Sequence, residues 1–321
     1  MVTLFERILA AHKGIRPDVP VTTLQLSTFL SRETQCDVWL KTEHLMPTGS
    51  FKVRGSANKI RTLGEAARSG VVTASTGNHG LGVARAGALA GVGVTVYVSN
   101  TAVPSKMAAI EALGAKLVVI DGSPLDSEIA ARRHSELRGQ PYVAPYNDLD
   151  TMAGQGTLGV ELVEQAPDLD AVFLCVGGGG LAGGVGTALK ALSPRTRLVG
   201  VWPAASRCML DSLNAGHIVE TPEYDTLSDG SAGAVEPGSV TFPVCQEVID
   251  ETVTVSEDEI ARGMRKIAEG ERWMIEGSAG VAVAGLLQTA ERYRGKKVAV
   301  VLCGRNVSVE TFLAAMARAA S

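Results

Sequence analysis

Ala171-Val172-Phe173-Leu174-Cys175-Val176 runs directly into Gly177-Gly178-Gly179-Gly180-Leu181-Ala182-Gly183-Gly184. The apolar run is β-branched and aromatic without period-two alternation, as expected of a strand covered by helices on both faces. The glycines turn the chain sharply, and the small apolar residues after them open a helix. Strand, glycine turn and helix together form the unit of an open α/β sheet, which places its ligands beyond the carboxyl ends of the strands. Consecutive glycines let backbone N–H groups converge on an anion, and the helix dipole adds about 0.3 to 2 kcal/mol for negative charge at its N-terminus. Close helix packing is the alternative reason for so many glycines. The segment also satisfies Gly-x-Gly-x-x-Gly at Gly178, Gly180 and Gly183, but the acid that a dinucleotide fold needs about 20 residues on is missing from Leu198-Val199-Gly200-Val201-Trp202-Pro203.

The same alternation extends along most of the chain. Strands are expected at Cys36 to Lys41, Val71 to Ser75, Val94 to Val98, Lys116 to Ile120, Ala171 to Val176, Arg197 to Trp202 and Lys297 to Cys303. Strand and helix repetition means mostly parallel sheets, hence an α/β fold. Three strand and helix pairs fall between about residues 65 and 145 and a second set begins after Gly154, so two lobes are expected. Asp225 to Pro243, rich in glycine and proline, reads as one long loop beside the site.

With 321 residues, two cores can form and enclose a deep pocket. A formal charge of -4 without a Lys/Arg block argues against a nucleic-acid partner. No apolar run approaches the roughly 18 residues of a membrane span, and Met1-Val2-Thr3-Leu4-Phe5-Glu6-Arg7 reads as an amphipathic helix, not a signal peptide. Cys36, Cys175, Cys208, Cys245 and Cys303 are odd in number and scattered, which points to a reducing cytoplasm and to no zinc site. The chain ends soon after the last strand and helix, leaving no expectation of an appended regulatory domain.

Three further segments carry chemistry. Lys52 lies in Pro47-Thr48-Gly49-Ser50-Phe51-Lys52-Val53-Arg54-Gly55, bracketed by apolar bulk at the expected start of a helix. Desolvation and the helix N-terminus both disfavour an ammonium there, which would free an amine for a carbonyl partner; the alternative is an ordinary basic residue on a wet helix face. Ser75-Thr76-Gly77-Asn78-His79-Gly80 follows another strand, and can hold a carboxylate or simply cap its helix. Cys303-Gly304-Arg305-Asn306 closes the last strand with a thiol, and Glu276, before a helix of small residues, is expected to face solvent.

In this order, Lys52, the Ser75 to Gly80 loop, Gly154-Gln155-Gly156-Thr157, the glycine run and Cys303-Gly304 resemble the threonine and serine dehydratases and serine racemases, which are fold type II pyridoxal phosphate enzymes. The resemblance runs from about Lys41 to Asn306. It implies the tryptophan synthase beta-like architecture of two lobes, each an open, mostly parallel sheet flanked by helices. The large lobe would comprise about 1–64 and 146–321, the small lobe 65–145, with pyridoxal 5'-phosphate between them. By the same resemblance Lys52 matches the Schiff-base lysine and Phe51 the residue beside the cofactor ring. Gly177, Gly178, Gly179, Gly180 and Leu181 match the phosphate cup, and Asn78 the partner of the ring hydroxyl. Ser75, Thr76, Gly77, Asn78 and His79 match the substrate carboxylate loop, and Cys303 the residue facing the pyridine nitrogen. Thr76 stands where the racemases place a catalytic serine, and its β-branch stiffens χ1. Trp202 stands where many relatives carry a cation-binding glutamate, so no metal is expected.

The expected activity is that of a cytoplasmic, homodimeric dehydratase that converts threonine or serine to a 2-keto acid and ammonia. A larger β-hydroxy amino acid, as in the phenylserine and hydroxyectoine-pathway dehydratases, and amino-acid racemisation are the alternatives.

Overall fold

The computed structural model describes residues 2–319. Met1 of the expected N-terminal helix, and residues 1, 320 and 321 of the expected large lobe, lie outside the described residues. The helix itself spans Leu4–Gly14, started by a capping box between Thr3 and Glu6.

Nine strands occur among the described residues: β1 (Leu24–Leu26), β2 (Asp37–Lys41), β3 (Val71–Ala74), β4 (Val94–Ser99), β5 (Lys116–Ile120), β6 (Ala171–Cys175), β7 (Arg197–Pro203), β8 (Glu251–Val255) and β9 (Lys297–Val301). They form a six-stranded sheet in the order β1-β2-β9-β6-β7-β8 and a three-stranded sheet in the order β3-β4-β5. Every pairing is parallel except β1 with β2. Each expected strand forms, but β1 and β8 were not anticipated. β1 is only three residues long. Glu-Thr-Val-Thr-Val of β8 alternates polar with buried apolar residues, as an edge strand does, and offers no continuous run to read.

The central strand β6 is buried along its whole length, with Phe173 opposite Val199 on one side and Val300 on the other. The helix Gly277–Thr289 lies across β6, β7, β8 and β9, and its glycine and alanine surface permits close approach to the sheet. The small sheet has a separate core around Ile60, Val71, Val83, Val96 and Ile110. The expected long loop is shorter than read, because a helix spans Thr241–Val248.

Gly154-Gln155-Gly156-Thr157 lies inside the helix Leu149–Gln165. A Cβ on Gly154 would sit 2.5 Å from the Arg54 carbonyl oxygen, and one on Gly156 would sit 2.8 Å from that of Gly184. These glycines therefore let one helix press at once on the helix Lys52–Leu63 and on the helix Gly180–Leu192.

An ion cluster beneath this junction has a core closed to solvent. Arg54 donates to Glu43 through Nε (2.7 Å) and Nη2 (2.8 Å), and to Glu161 through Nη1 and Nη2 (both 2.7 Å). Lys41 Nζ adds a 2.7 Å bond to Glu161, and all four side chains are fully buried. Burial alone would raise the Glu161 carboxyl, but Arg54 and then Lys41 hold it at about 2. The stability this contributes is present above the ordinary value of 4.5 and is lost as pH falls through about 2. Arg54→Met would leave Glu43 without its cation and strip Glu161 of one of its three, since Arg16 Nη2 also meets Glu161 at 2.8 Å. We expect a loss of about 3–5 kcal/mol, read from the urea midpoint at neutral pH, and a loss below about 1 kcal/mol would refute this account of the cluster.

Candidate active site

Lys52 is the first residue of its helix, and Phe51 caps that helix without a side-chain hydrogen bond. The preceding turn is fastened to the chain after β9. Phe51 N donates to Cys303 O (3.1 Å), Arg305 N donates to Gly49 O (2.9 Å), and Ser50 bridges Gly304. Gly49 adopts φ +76°, and a Cβ there would lie 2.5 Å from Asn306 Oδ1. Lys52 and Cys303, 251 positions apart, are thus brought to one place.

Lys52 Nζ lies 5.5 Å from the centre of the Phe51 ring and donates to Pro145 O at 2.8 Å. Burial lowers its pKa to about 8, against the opposing pull of Cys303 and Glu276. The Cys303 thiol is buried and, by that burial, then by Glu276 and Cys175, pushed well above its ordinary range. It therefore stays a neutral thiol.

The Ser75 to Gly80 segment reaches the same cleft from the small sheet. The helix Asn78–Ala90 crosses the start of the lysine helix, with Gly82 facing the Lys52 carbonyl at a separation that a Cβ would reduce to 3.2 Å. Its N-cap is Gly77, and no side chain caps it. Ser75 Oγ instead accepts from Gly77 N (3.1 Å), so the capping alternative for this loop is not what forms. Thr76, Gly77 and Asn78 line the cleft. The His79 imidazole is buried, with Nε2 2.9 Å from Val143 O and Nδ1 unpartnered. Burial, then Lys52, then partial compensation by Val143 O leave its pKa at about 3, so the ring is neutral and donates through Nε2.

The glycine run occupies the turn between β6 and the helix Gly180–Leu192, whose N-cap is Gly179 at φ +88°. Side chains have no room here. A Cβ on Gly177 would meet Ser231 O at 2.8 Å, one on Gly178 the Tyr146 ring at 2.6 Å, and one on Gly179 Cys245 Sγ at 2.8 Å. The bare N–H groups of an uncapped helix start fit an anion such as phosphate. Leu181 contributes its backbone to this turn, while its side chain is buried in the large core. The lysine and the glycine turn are joined through Pro145 and Tyr146, whose ring covers Gly178 and whose hydroxyl accepts from Glu236 N (3.0 Å).

Glu276 corrects the expectation of a solvent-facing acid. It is 4 % exposed, accepts from Asn78 Nδ2 (2.9 and 3.0 Å) and Asn306 N (3.0 Å), and packs on Gly304 beside Cys303. Burial lifts its carboxyl to about 7. Sequence reasoning missed it, together with Tyr146 and Asn306; its one local signal is an acid directly before a run of small apolar residues. The cleft has a cavity volume of about 680 Å³ and is lined on its apolar side by Leu81, Val103, Ala109, Leu227 and Val307. At the end of β7 stands the buried indole of Trp202, and no group of three or more His, Cys, Asp or Glu among the described residues is arranged to hold a metal. No helix among the described residues is long and apolar enough to cross a membrane.

A low-pKa amine beside a glycine-walled anion cup fits a phosphate-bearing aldehyde cofactor. Residues 15–304 match the family described as pyridoxal-phosphate dependent enzymes, and the chain belongs to that family. Its relatives are more specific. An L-threonine ammonia-lyase of Thermotoga maritima is 40% identical over 311 residues, which cover 96% of this chain and 77% of that protein. Threonine deaminase isoform 2 from Solanum lycopersicum, in its processed form, superposes with TM-score 0.95 at 33% identity, covering 99% of this chain and 94% of the other. Maize serine racemase gives 0.91 at 29% identity, with 99% and 98% covered.

In the cofactor-free protein, the rate of reductive methylation at Lys52 is expected to rise with a midpoint near pH 8. Peptide mapping by mass spectrometry would follow it, and a midpoint above about 10, the range of a solvated lysine, would contradict the environment described.

Proposed function

We propose that this protein is a pyridoxal phosphate-dependent ammonia-lyase that converts L-threonine to the corresponding 2-keto acid and ammonia, with serine as a second substrate. The observation that carries the proposal is the buried Lys52 amine, whose pKa is lowered to about 8 and which donates to Pro145 O next to the Tyr146 ring that covers Gly178 of the glycine turn, with Gly82 of the Asn78 helix packed against the Lys52 backbone. The similarity to proteins named threonine ammonia-lyase and threonine deaminase supports the same reading.

Pyridoxal phosphate supplies a carbonyl that condenses with an amine and a conjugated ring that accepts electron density from the substrate α-carbon. Lys52 holds the cofactor at rest; once its amine is free, it removes the α-proton as general base, a role served by a pKa near working pH. The backbone N–H groups of Gly177 to Leu181 would hold the phosphate, Phe51 would support the ring and Asn78 would serve its hydroxyl. Ser75, Thr76, Gly77 and His79 hold the substrate carboxylate. Cys303, kept as a neutral thiol, does not protonate the ring nitrogen, which limits electron withdrawal and favours prompt loss of the β-hydroxyl. The C–O bond breaks as the leaving oxygen takes up a proton, so that the α-hydrogen and the β-hydroxyl depart in sum as water, and the released enamine takes up water to give keto acid and ammonia.

We further propose the lobe limits 1–64 with 146–321 and 65–145, which separate the two sheets. Action in a reducing cytoplasm is supported by five buried, unpaired cysteines; the homodimer rests on family resemblance. The size and apolar wall of the cleft support a second reading, a larger β-hydroxy amino acid such as phenylserine. Racemisation would need Thr76 to serve the opposite face of the α-carbon, against the stiffness of its side chain.

The deciding assay measures keto acid from L- and D-threonine, serine, phenylserine and hydroxyaspartate. We expect release from L-threonine, with Lys52→Ala reduced by at least about four orders of magnitude, as when a residue of a catalytic unit is removed. Release from phenylserine alone would select the second reading, and inversion without keto acid would select a racemase.

A further inference from the structure

Asn78 and Asn306 stand between two fixed acceptors, and their amide orientations follow from that placement. Asn306 Nδ2 donates to the backbone carbonyl of Thr48 (2.8 Å), which can only accept, so its nitrogen is fixed on that side. The same nitrogen donates to Asn78 Oδ1 at 2.5 Å, so Asn78 presents Nδ2 to Glu276. Glu276 receives it with both carboxylate oxygens, at 2.9 and 3.0 Å. Two oxygens of one carboxylate subtend too small an angle at Nδ2 to take both hydrogens, so one N–H is shared between them and the other remains. Gly304 keeps this arrangement close, because a Cβ there would collide with the Glu276 carboxylate.

Resting on the functional reading above, we infer that Glu276 is a positioning residue that fixes and polarises Asn78, and so sets how strongly Asn78 donates its remaining hydrogen to the ring hydroxyl of the bound cofactor. Glu276 itself reaches the ring only through Asn78. The charged and titratable groups facing the carboxyl are Lys52, Cys303, Cys175, Asp229 and Lys106. Burial raises it most, Asp229 raises it further, and Asn78, the Asn306 amide and Lys106 oppose. With its pKa at about 7, Glu276 is a carboxylate above that pH and polarises Asn78 fully; below it the carboxyl is protonated and the polarisation is lost.

The test is a pH titration of the holoenzyme's visible absorbance, with cofactor affinity measured by adding pyridoxal phosphate to the cofactor-free protein. Wild type is expected to show a spectral transition near pH 7. Glu276→Gln should abolish that transition and weaken cofactor affinity by about ten- to a hundredfold, the scale of losing an outer-shell partner. Glu276→Asp should restore the transition. Asn306→Ala, which releases the other end of Asn78, should weaken affinity in the same direction while keeping the transition. The inference is overturned if Glu276→Gln keeps both the transition and wild-type affinity, or if Glu276→Gln and Asn306→Ala lower only the melting temperature. A wild type that binds no cofactor would overturn the functional reading itself, whereas wild-type binding with an unchanged Gln variant overturns this inference alone.

Discussion

Arg54 bound between Glu43 and Glu161 is the constraint on which the geometry of the site depends. Glu43 lies just after β2, Arg54 two residues beyond Lys52, and Glu161 on the helix that also presses against the helix after the glycine turn. One guanidinium therefore indexes the strand end, the lysine and the anion cup to each other. Its five donors in a rigid plane suit two carboxylates in a way that an ammonium would not. A buried cluster of this kind adds little net stability compared with packed apolar side chains, yet it costs several kcal/mol to break. Its contribution is to make one arrangement of three elements far better than any displaced one.

Above this clamp, burial controls protonation. Lys52 and His79 are pushed down and Glu276 and Cys303 up, and in each case desolvation is the largest cause. The charged form of every group is disfavoured, which keeps Cys303 and His79 neutral and brings Lys52 and Glu276 to titrate near pH 8 and 7. Fixed dipoles add to the field of the cleft. The helices starting at Lys52, Asn78, Gly180 and Gly277 all lack a capping side chain, as do those starting at Pro104, Cys208 and Thr241, whereas Thr3, Ser27, Ser123, Asp148, Ser256 and Ser308 cap theirs. Unsatisfied N–H groups at the starts of the helices at Asn78 and Gly180 form a site for anions.

The parts of this site that the sequence discloses are those whose function is carried by a few consecutive residues. Gly177 to Gly180 announce a turn without side chains, and Phe51-Lys52-Val53 announce a desolvated amine, because in both cases the local chain supplies the physics. Glu276, Tyr146 and Asn306 were not legible, since their roles come from partners far away: Asn78 is 198 positions from Glu276, and Asn306 lies 258 from Thr48. The strands followed the same division. Continuous apolar runs marked the buried strands, while β8 hides in an alternating polar sequence and β1 is too short for any period to register. In Gly154-Gln155-Gly156-Thr157 the sequence flagged a motif whose use proved to be helix packing.

The mouth of the cleft is fastened quite differently from its base. Lys106 meets Asp229 at 3.3 Å with both side chains substantially exposed, and Arg132 meets Glu236 at 2.9 Å in a similar setting. Such pairs contribute about 1 kcal/mol or less each, against the several kcal/mol that hold the buried cluster together. The segment carrying Asp229 and Glu236 belongs between β7 and β8 of the large sheet, while Lys106 and Arg132 follow β4 and β5 of the small one. These two surface pairs therefore add little to holding the sheets together, whereas breaking the buried cluster disturbs the lysine and the anion cup. The groups that line the lysine and the glycine turn are indexed to one another by Arg54 and not by these surface pairs.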